Sequence, residues 1–183
     1  MPPPFSGLAI APDTAPMEAK LASEIPGGAG WQFEPKWDGF RCLAFRDGDA
    51  AELMSKSGKP LGRYFPEVLA ALRALDETRF VLDGELVLPL GGVLSFAALQ
   101  LRLHPAASRI EKLSRETPAQ LMLFDCLQLG DEVLLDEPLS VRIGATSIAV
   151  IDDRAQHGIA LNAHTAGNAP AADPDRATAD KEA

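Results

Sequence analysis

Cysteine, histidine and tyrosine are scarce in this chain of 183 residues, with two Cys, three His and one Tyr. Cys42 and Cys126 lie in apolar alternating stretches with no CxxC or Cys/His cluster near them, which excludes a disulfide framework and a zinc site of the usual spacing. They read as small core residues. No run reaches the roughly 18 consecutive apolar residues of a membrane span, and Met1-Pro2-Pro3-Pro4 lacks the basic start of a secretion signal. The expected setting is cytoplasmic, with no membrane partner. A net positive charge is also lacking: 17 Lys and Arg against 26 Asp and Glu give −9, which at first sight argues against a nucleic-acid partner. The distribution changes that reading. Residues 31–115 hold 12 basic against 11 acidic residues, a net of +1, whereas residues 116–183 hold 4 against 12, a net of −8.

What is present is the composition of a globular protein, 46% hydrophobic and 23% charged with a mean hydropathy of zero. The length suits about one domain. Residues 1–30 are proline-rich and read as an irregular lead-in with one short helix over Met17–Ser23. From Trp31 the texture becomes alternating strands, Gln32–Pro35, Arg41–Arg46 and Ala51–Ser55, with an Asp47-Gly48 hairpin signal, which together suggest an antiparallel meander. PEVLAALRAL over Pro66–Leu75 has helical spacing and a proline suited to the first helical position. Phe80–Leu88 reads as a strand with Asp83-Gly84 set inside it, Pro89 to Gly92 as a turn, and Ser95 as the N-cap of a helix through Leu103. Leu121–Leu129 reads as a buried strand, with Glu132–Leu135 its hairpin partner.

The most unusual segment is Glu34-Pro35-Lys36-Trp37-Asp38-Gly39-Phe40-Arg41. It places a lysine between a strand and an Asp-Gly turn among bulky apolar neighbours. Desolvation there favours the neutral amine, which is a nucleophile. On spacing alone the plainer reading is an ion pair of Lys36 with Glu34 or Asp38 on an exposed strand edge.

The whole string tips the balance. EPKWDGFR resembles motif I, K-x-D-G-x-R, of the covalent nucleotidyltransferases, the superfamily of ATP-dependent DNA ligases, RNA ligases and mRNA capping enzymes. Further elements follow in the family's order. Ser55-Lys56-Ser57-Gly58 resembles the ligase S-R-x-G element, Leu82-Asp83-Gly84-Glu85-Leu86 the D-G-E motif, and Leu123-Phe124-Asp125-Cys126-Leu127 the F-D-x-L motif. Arg63-Tyr64-Phe65-Pro66-Glu67 and Asp136-Glu137-Pro138-Leu139-Ser140 resemble bacterial ATP-dependent DNA ligases of the end-joining repair type. The likeness covers roughly residues 16–142.

The resemblance implies an α+β fold, an incomplete antiparallel-sheet nucleotidyltransferase fold followed by a disordered tail, with residues 1–142 the partial adenylation domain and 143–183 the tail. It implies ATP and Mg²⁺ as cofactors, nicked double-stranded DNA as substrate, and end-joining repair proteins as partners. Lys36 is then the nucleophile that takes AMP. Glu34 accepts from the adenine amino group, Arg41 offers its planar fork to ribose and phosphate oxygens, Glu85 binds a ribose hydroxyl, and Phe124 gives a ring face for adenine. Taken singly, each has a plainer structural role: Glu85 an edge-strand carboxylate, Arg41 a surface cation, Phe124 core. Ser55, Lys56 and Arg63, with Lys59, form a small basic surface for the DNA backbone. Lys56 stands where the family more usually has arginine, which keeps the charge and loses the bidentate geometry. The three histidines match nothing in the pattern and receive no role, and no metal ligand is identified.

The family continues with an E-G motif and a K-x-K motif. Glu-Gly occurs nowhere here, and Lys181 is the only lysine after Lys112. From Ile143 the period fades into Ala, Gly, Asn and Asp. Ser140 is expected to cap a helix that Gly144 and its β-branched neighbours then interrupt, so residues 143–183 read as a low-order tail from a shifted frame or a truncated gene, with a dedicated regulatory tail as the alternative. Two functions follow: an ATP-dependent DNA ligase impaired by the missing motifs, or a non-enzymatic remnant that binds nucleotide or a partner weakly.

Overall fold

The computed structural model describes residues 3–18, 20–27, 31–150, 159–161 and 177–181. In chain order its elements are β1 (Trp31–Pro35), β2 (Phe40–Asp47), β3 (Ala50–Ser55), α1 (Pro66–Ala74), β4 (Arg79–Val87), β5 (Pro89–Leu90), β6 (Val93–Leu94), α2 (Phe96–Gln100), α3 (Ala107–Glu116), β7 (Gln120–Leu129), β8 (Glu132–Val133), α4 (Leu139–Val150), β9 (Ile159–Leu161) and β10 (Ala177–Lys181). The main sheet runs β3-β2-β4-β7-β8, with β9 joining β7 in parallel at Leu121–Leu123. Mixed helices and an antiparallel sheet agree with the expected α+β class.

Alternation along the strands divides the sheet into two faces. Cys42, Ala44, Leu82, Leu86 and Leu123 point to one face and pack with Phe65, Val68 and Leu72 of the α1 region and Leu99 of α2. Both cysteines are free and buried, as core residues should be. Leu43, Phe45, Val81 and Leu127 point to the other face, and the N-terminal segment covers them. Ile10 is buried among them, Phe5 meets Phe45 edge to face, and the Gln128 side-chain oxygen accepts from the backbone N–H groups of Ala9 and Ile10 at 3.0 and 3.3 Å. The proline-rich lead-in is thus a strap that completes one face of the core.

Several local expectations are corrected. None of the described residues in Met17–Ser23 is helical. Seven residues are too few for a helix without tertiary support, and the Met17 carbonyl instead accepts from Arg41. β1 is not part of the meander; it pairs with β10, Glu34 opposite Thr178. The helix capped by Ser95, whose hydroxyl accepts from the Ala98 N–H, ends at Gln100 rather than Leu103. α3 was not anticipated, although Ile110 and Leu113 sit at helical spacing and Arg115 pairs with Glu111 one turn back.

Past Arg142, α4 continues through Gly144 to Val150. Its first turn is anchored on the Pro138 carbonyl, which accepts from Val141 and Arg142, so Ser140 lies inside the helix and does not cap it. The propensity cost of one glycine, about 1 kcal/mol, is outweighed by docking on β7: Ala145 packs against the core, Thr146 is buried, and Arg142 pairs with Asp125. Most of the expected tail, 143–183, lies outside the described residues; within it, β9 and β10 are strands that the sequence pattern does not show.

Truncating Ile10 tests whether the strap belongs to the cooperative fold. Ile10→Ala is expected to cost about 2–5 kcal/mol, read as a lower urea midpoint at unchanged slope. A loss below about 0.5 kcal/mol, the level of a surface change, would show that the strap adds no stability.

Candidate active site

Lys36 lies in the loop from β1 to β2, and Gly39 explains the loop's path. A Cβ at Gly39 would collide with the Leu86 carbonyl oxygen and press on the Glu85 side chain. Only glycine lets the loop enter β2 this close to β4. In register, Arg41 then pairs with Glu85 and Leu43 with Asp83. β4 therefore neighbours β2 directly, while β7 lies one strand further on, beyond β4.

The β4–β7 ladder shifts register between Asp83 and Gly84, so that Asp125 opposes Asp83, Leu123 opposes Gly84, and Phe124 is the extra residue. This bulge lets two consecutive residues, Phe124 and Asp125, face the same cavity. A Cβ at Gly84 would meet the Met122 carbonyl oxygen at 2.6 Å, so the D-G-E glycine is demanded by the close approach of β7.

One cavity collects Glu34, Lys36, Arg41, Glu85 and Phe124, all five residues read from the sequence as the nucleophile and its nucleotide contacts. Met17, Pro35, Trp37, Asp125 and Leu139 complete the wall. Motif reading missed Met17 and Leu139 because they come from distant segments, and Asp125 because an F-D pair in a regular strand would send the two side chains to opposite faces. Lys36 is exposed. The expectation that its own chain desolvates it is corrected: Lys36 lines the cavity and stays exposed.

Arg41 is engaged by Asp83 through Nε at 2.7 Å and Nη2 at 2.8 Å, and its guanidinium carbon sits 4.5 Å from the centre of the Phe124 ring. Burial pulls its pKa down, but the Asp83 hydrogen bond and charge outweigh that, leaving it raised. The Nε–Nη2 edge of the fork is therefore taken by Asp83, and a ribose or phosphate oxygen would meet the other edge. Burial raises the Asp83 carboxyl against the opposing pull of Arg41. Burial pushes Glu85 up to about 7, opposed by Arg41, the Gly39 N–H and Lys36. Asp125 rises to about 6, again mainly by burial, with Arg142 opposing and Asp83 adding to the rise. The Trp37 indole N–H is buried with no hydrogen-bond partner.

The residues read as a DNA surface stand apart from this cavity. Ser55 closes β3, its hydroxyl accepting from the Lys59 N–H at 3.0 Å. Lys56 pairs with Glu18 at 2.9 Å, both side chains exposed. The Arg63 guanidinium donates to the Pro105 carbonyl at 3.1 Å and lies over the Tyr64 ring. Among the described residues no group of three or more His, Cys, Asp or Glu is placed to hold a metal ion, and the two most buried carboxylates near the cavity are each paired with an arginine.

A lysine on a loop beside an antiparallel sheet whose central strands present an arginine, a glutamate and an aromatic ring to one cavity is the arrangement that the resemblance to nucleotidyltransferases implies. The family model described as ATP dependent DNA ligase domain matches residues 16–165, and the chain belongs to that family. The match runs past Arg142, where the motifs place the end of the likeness. The chain is 51% identical over 155 residues to DNA ligase C1 of Mycolicibacterium smegmatis, covering 82% of this chain and 44% of the relative. It is 37% identical over 106 residues to the multifunctional non-homologous end joining protein LigD of Mycobacterium bovis, covering 57% of this chain and 12% of that protein. A solved mycobacterial DNA ligase D complexed with ATP and MES superposes with a TM-score of 0.57 at 29% identity, covering 75% of this chain and 44% of that one. The chain thus spans less than half the length of these relatives.

The Glu85 shift carries a pH dependence of fixed sign. Its folded pKa, about 7, lies above the ordinary 4.5, so the stability it contributes is fully present below about pH 4.5 and is lost as pH rises through about 7. Glu85→Gln is expected to be more stable than the parent by about 1–2 kcal/mol at pH 8, a figure discounted for partial solvent exposure, and no more stable at pH 4. Urea unfolding at the two pH values checks this, and an equal difference at both would disprove the shift.

Proposed function

We propose that this chain is the nucleotide-binding part of an ATP-dependent DNA ligase and that Lys36 is its nucleophile. The observation that carries the reading is the convergence of Glu34, Lys36, Arg41, Glu85 and Phe124 on one cavity. The Lys36 amine, giving up a proton, bonds to the α-phosphorus of ATP while the bond to the pyrophosphate oxygen breaks, leaving AMP on the lysine. An oxygen of the 5′-phosphate at a nick then takes the AMP as the N–P bond breaks, and the 3′-hydroxyl displaces AMP to close the strand.

The chain's own residues bind and orient in this scheme. Arg41 covers one face of Phe124, so a purine stacks on the other. Glu34 takes the adenine amino group and Glu85 a ribose hydroxyl. Below about pH 7 Glu85 is largely protonated and offers the ribose a donor as well as an acceptor. The described carboxylates form no cage for Mg²⁺, which such chemistry ordinarily uses. Ser55, Lys56 and Arg63 meet the DNA backbone, Lys56 after exchanging the Glu18 carboxylate for a phosphate. End-joining repair proteins in the cytoplasm are the partners proposed. A second reading is a non-enzymatic remnant that binds nucleotide or a partner weakly without sealing nicks; the exposure of Lys36, which its own chain does not desolvate, favours it.

Incubation with ATP labelled at the α-phosphate is expected to leave label on the chain, mapped to Lys36 and abolished in Lys36→Ala. If one preorganised donor to the phosphates is lacking, labelling is slower by on the order of 10²–10³. An adduct at another lysine refutes the assignment, and no adduct at all favours the remnant. Binding of nicked duplex is expected to be weak, with a slope of about −2 to −3 in log affinity against log salt for two or three phosphate contacts. Lys56→Ala should flatten that slope by about one; an unchanged slope removes Lys56 from the DNA surface.

A further inference from the structure

Asp83 and Asp125 face each other across β4 and β7, and both are buried. Two ionised carboxylates so placed repel each other in a poorly hydrated setting. Each is neutralised from outside the pair. Asp83 takes the bidentate fork of Arg41 from β2, and Asp125 accepts from Arg142 Nε at 3.0 Å, from α4. The result is a row of alternating charge, Arg41, Asp83, Asp125 and Arg142, running from the cavity to the helix. Arg41 and Asp125 line the cavity, and Arg41 lies on the Phe124 ring; Arg142 does not line it. Leu139, one turn earlier on α4, does, and Arg142 Nη1 also reaches the Leu135 carbonyl at 3.4 Å, which ties the start of the helix to the same place.

Resting on the nucleotide-binding reading above, we infer that Arg142 is a positioning residue for the nucleotide pocket, acting through Asp125 to hold Arg41 on Asp83 and over Phe124. Without Arg142, Asp125 is a buried carboxylate beside a second one, with Arg41 the cation left to serve both. Arg41 then divides between Asp83 and Asp125 and leaves its place over the ring, and the nucleotide loses a fixed wall. Removing the negative charge at Asp125 removes the competition, so Arg142 matters only while Asp125 is charged.

The test is a double-mutant cycle on the full chain, read by ATP titration calorimetry and by the Arg41 Nε–H resonance without nucleotide. Arg142→Met is expected to weaken ATP binding about tenfold with Asp125 present and less than about twofold in the Asp125→Asn background, the signature of a coupled pair. The Arg41 resonance should move in Arg142→Met and return in the double variant. Should Arg142→Met fail to fold, Arg142→Lys keeps the charge without the fixed fork and should show a smaller loss, again cancelled by Asp125→Asn. Equal losses in both backgrounds, or an Arg41 resonance that stays in place in the folded single variant, overturn the inference. If the unaltered chain binds no ATP, the ligase reading fails and the resonance alone decides this one.

Discussion

The pair of carboxylates facing each other at the centre of the sheet is the constraint around which this protein is arranged. Asp83 and Asp125 oppose each other in the β4–β7 ladder, and burying one charge without a partner costs several kcal/mol. The fold supplies two arginines from opposite sides, one on β2 and one on α4. That requirement ties α4 to β7 and sets Arg41 over Phe124. An apolar pair would hold the sheet together with less risk. The charged pair holds an arginine in a fixed pose at a cavity, which leucines cannot do.

The cavity exists because one face of the sheet is covered over only part of its length. The strap seats Ile10 on Leu43, Phe45, Val81 and Leu127, and ends at Met17, whose carbonyl meets Arg41. On the same face, further along the strands, Arg41, Glu85, Phe124 and Asp125 line the cavity. The apolar and polar halves of the face alternate with the buried core behind them at a period of two. The β4–β7 ladder shifts register twice, between Val81 and Leu82 and between Asp83 and Gly84, and the second shift falls where an extra side chain is brought to the cavity.

Much of the site was legible in the sequence because its residues come as short strings on single elements. Lys36 to Arg41, Leu82 to Leu86 and Leu123 to Leu127 each keep their chemistry within five or six residues, and the structure gathers all three at one cavity. Tertiary events were not legible. The strap looks like an irregular lead-in because its hydrogen bonds go to Gln128 and Asp47, far along the chain. α4 looks interrupted at Gly144 because local propensity counts the glycine and not the docking of Arg142 on Asp125. β1 looks like the first strand of a meander because nothing in WQFEP names its partner, which is β10.

The exposed position of Lys36 bears on how its amine can be made reactive. Burial by the chain itself is not available, since Lys36 is exposed. Glu85 senses Lys36: its carboxyl, raised mainly by burial, is held down in part by the charge of that amine. The positive charge of Lys36 thus favours the ionised form of Glu85, and the two groups interact across the cavity. A nucleotide seated between them, with its ribose on Glu85, would weaken that coupling and cover the loop at the same time. On the proposed reading, the exposure of Lys36 leaves the enclosure of this loop to the nucleotide itself, so the amine is set against an α-phosphate only while a nucleotide fills the cavity.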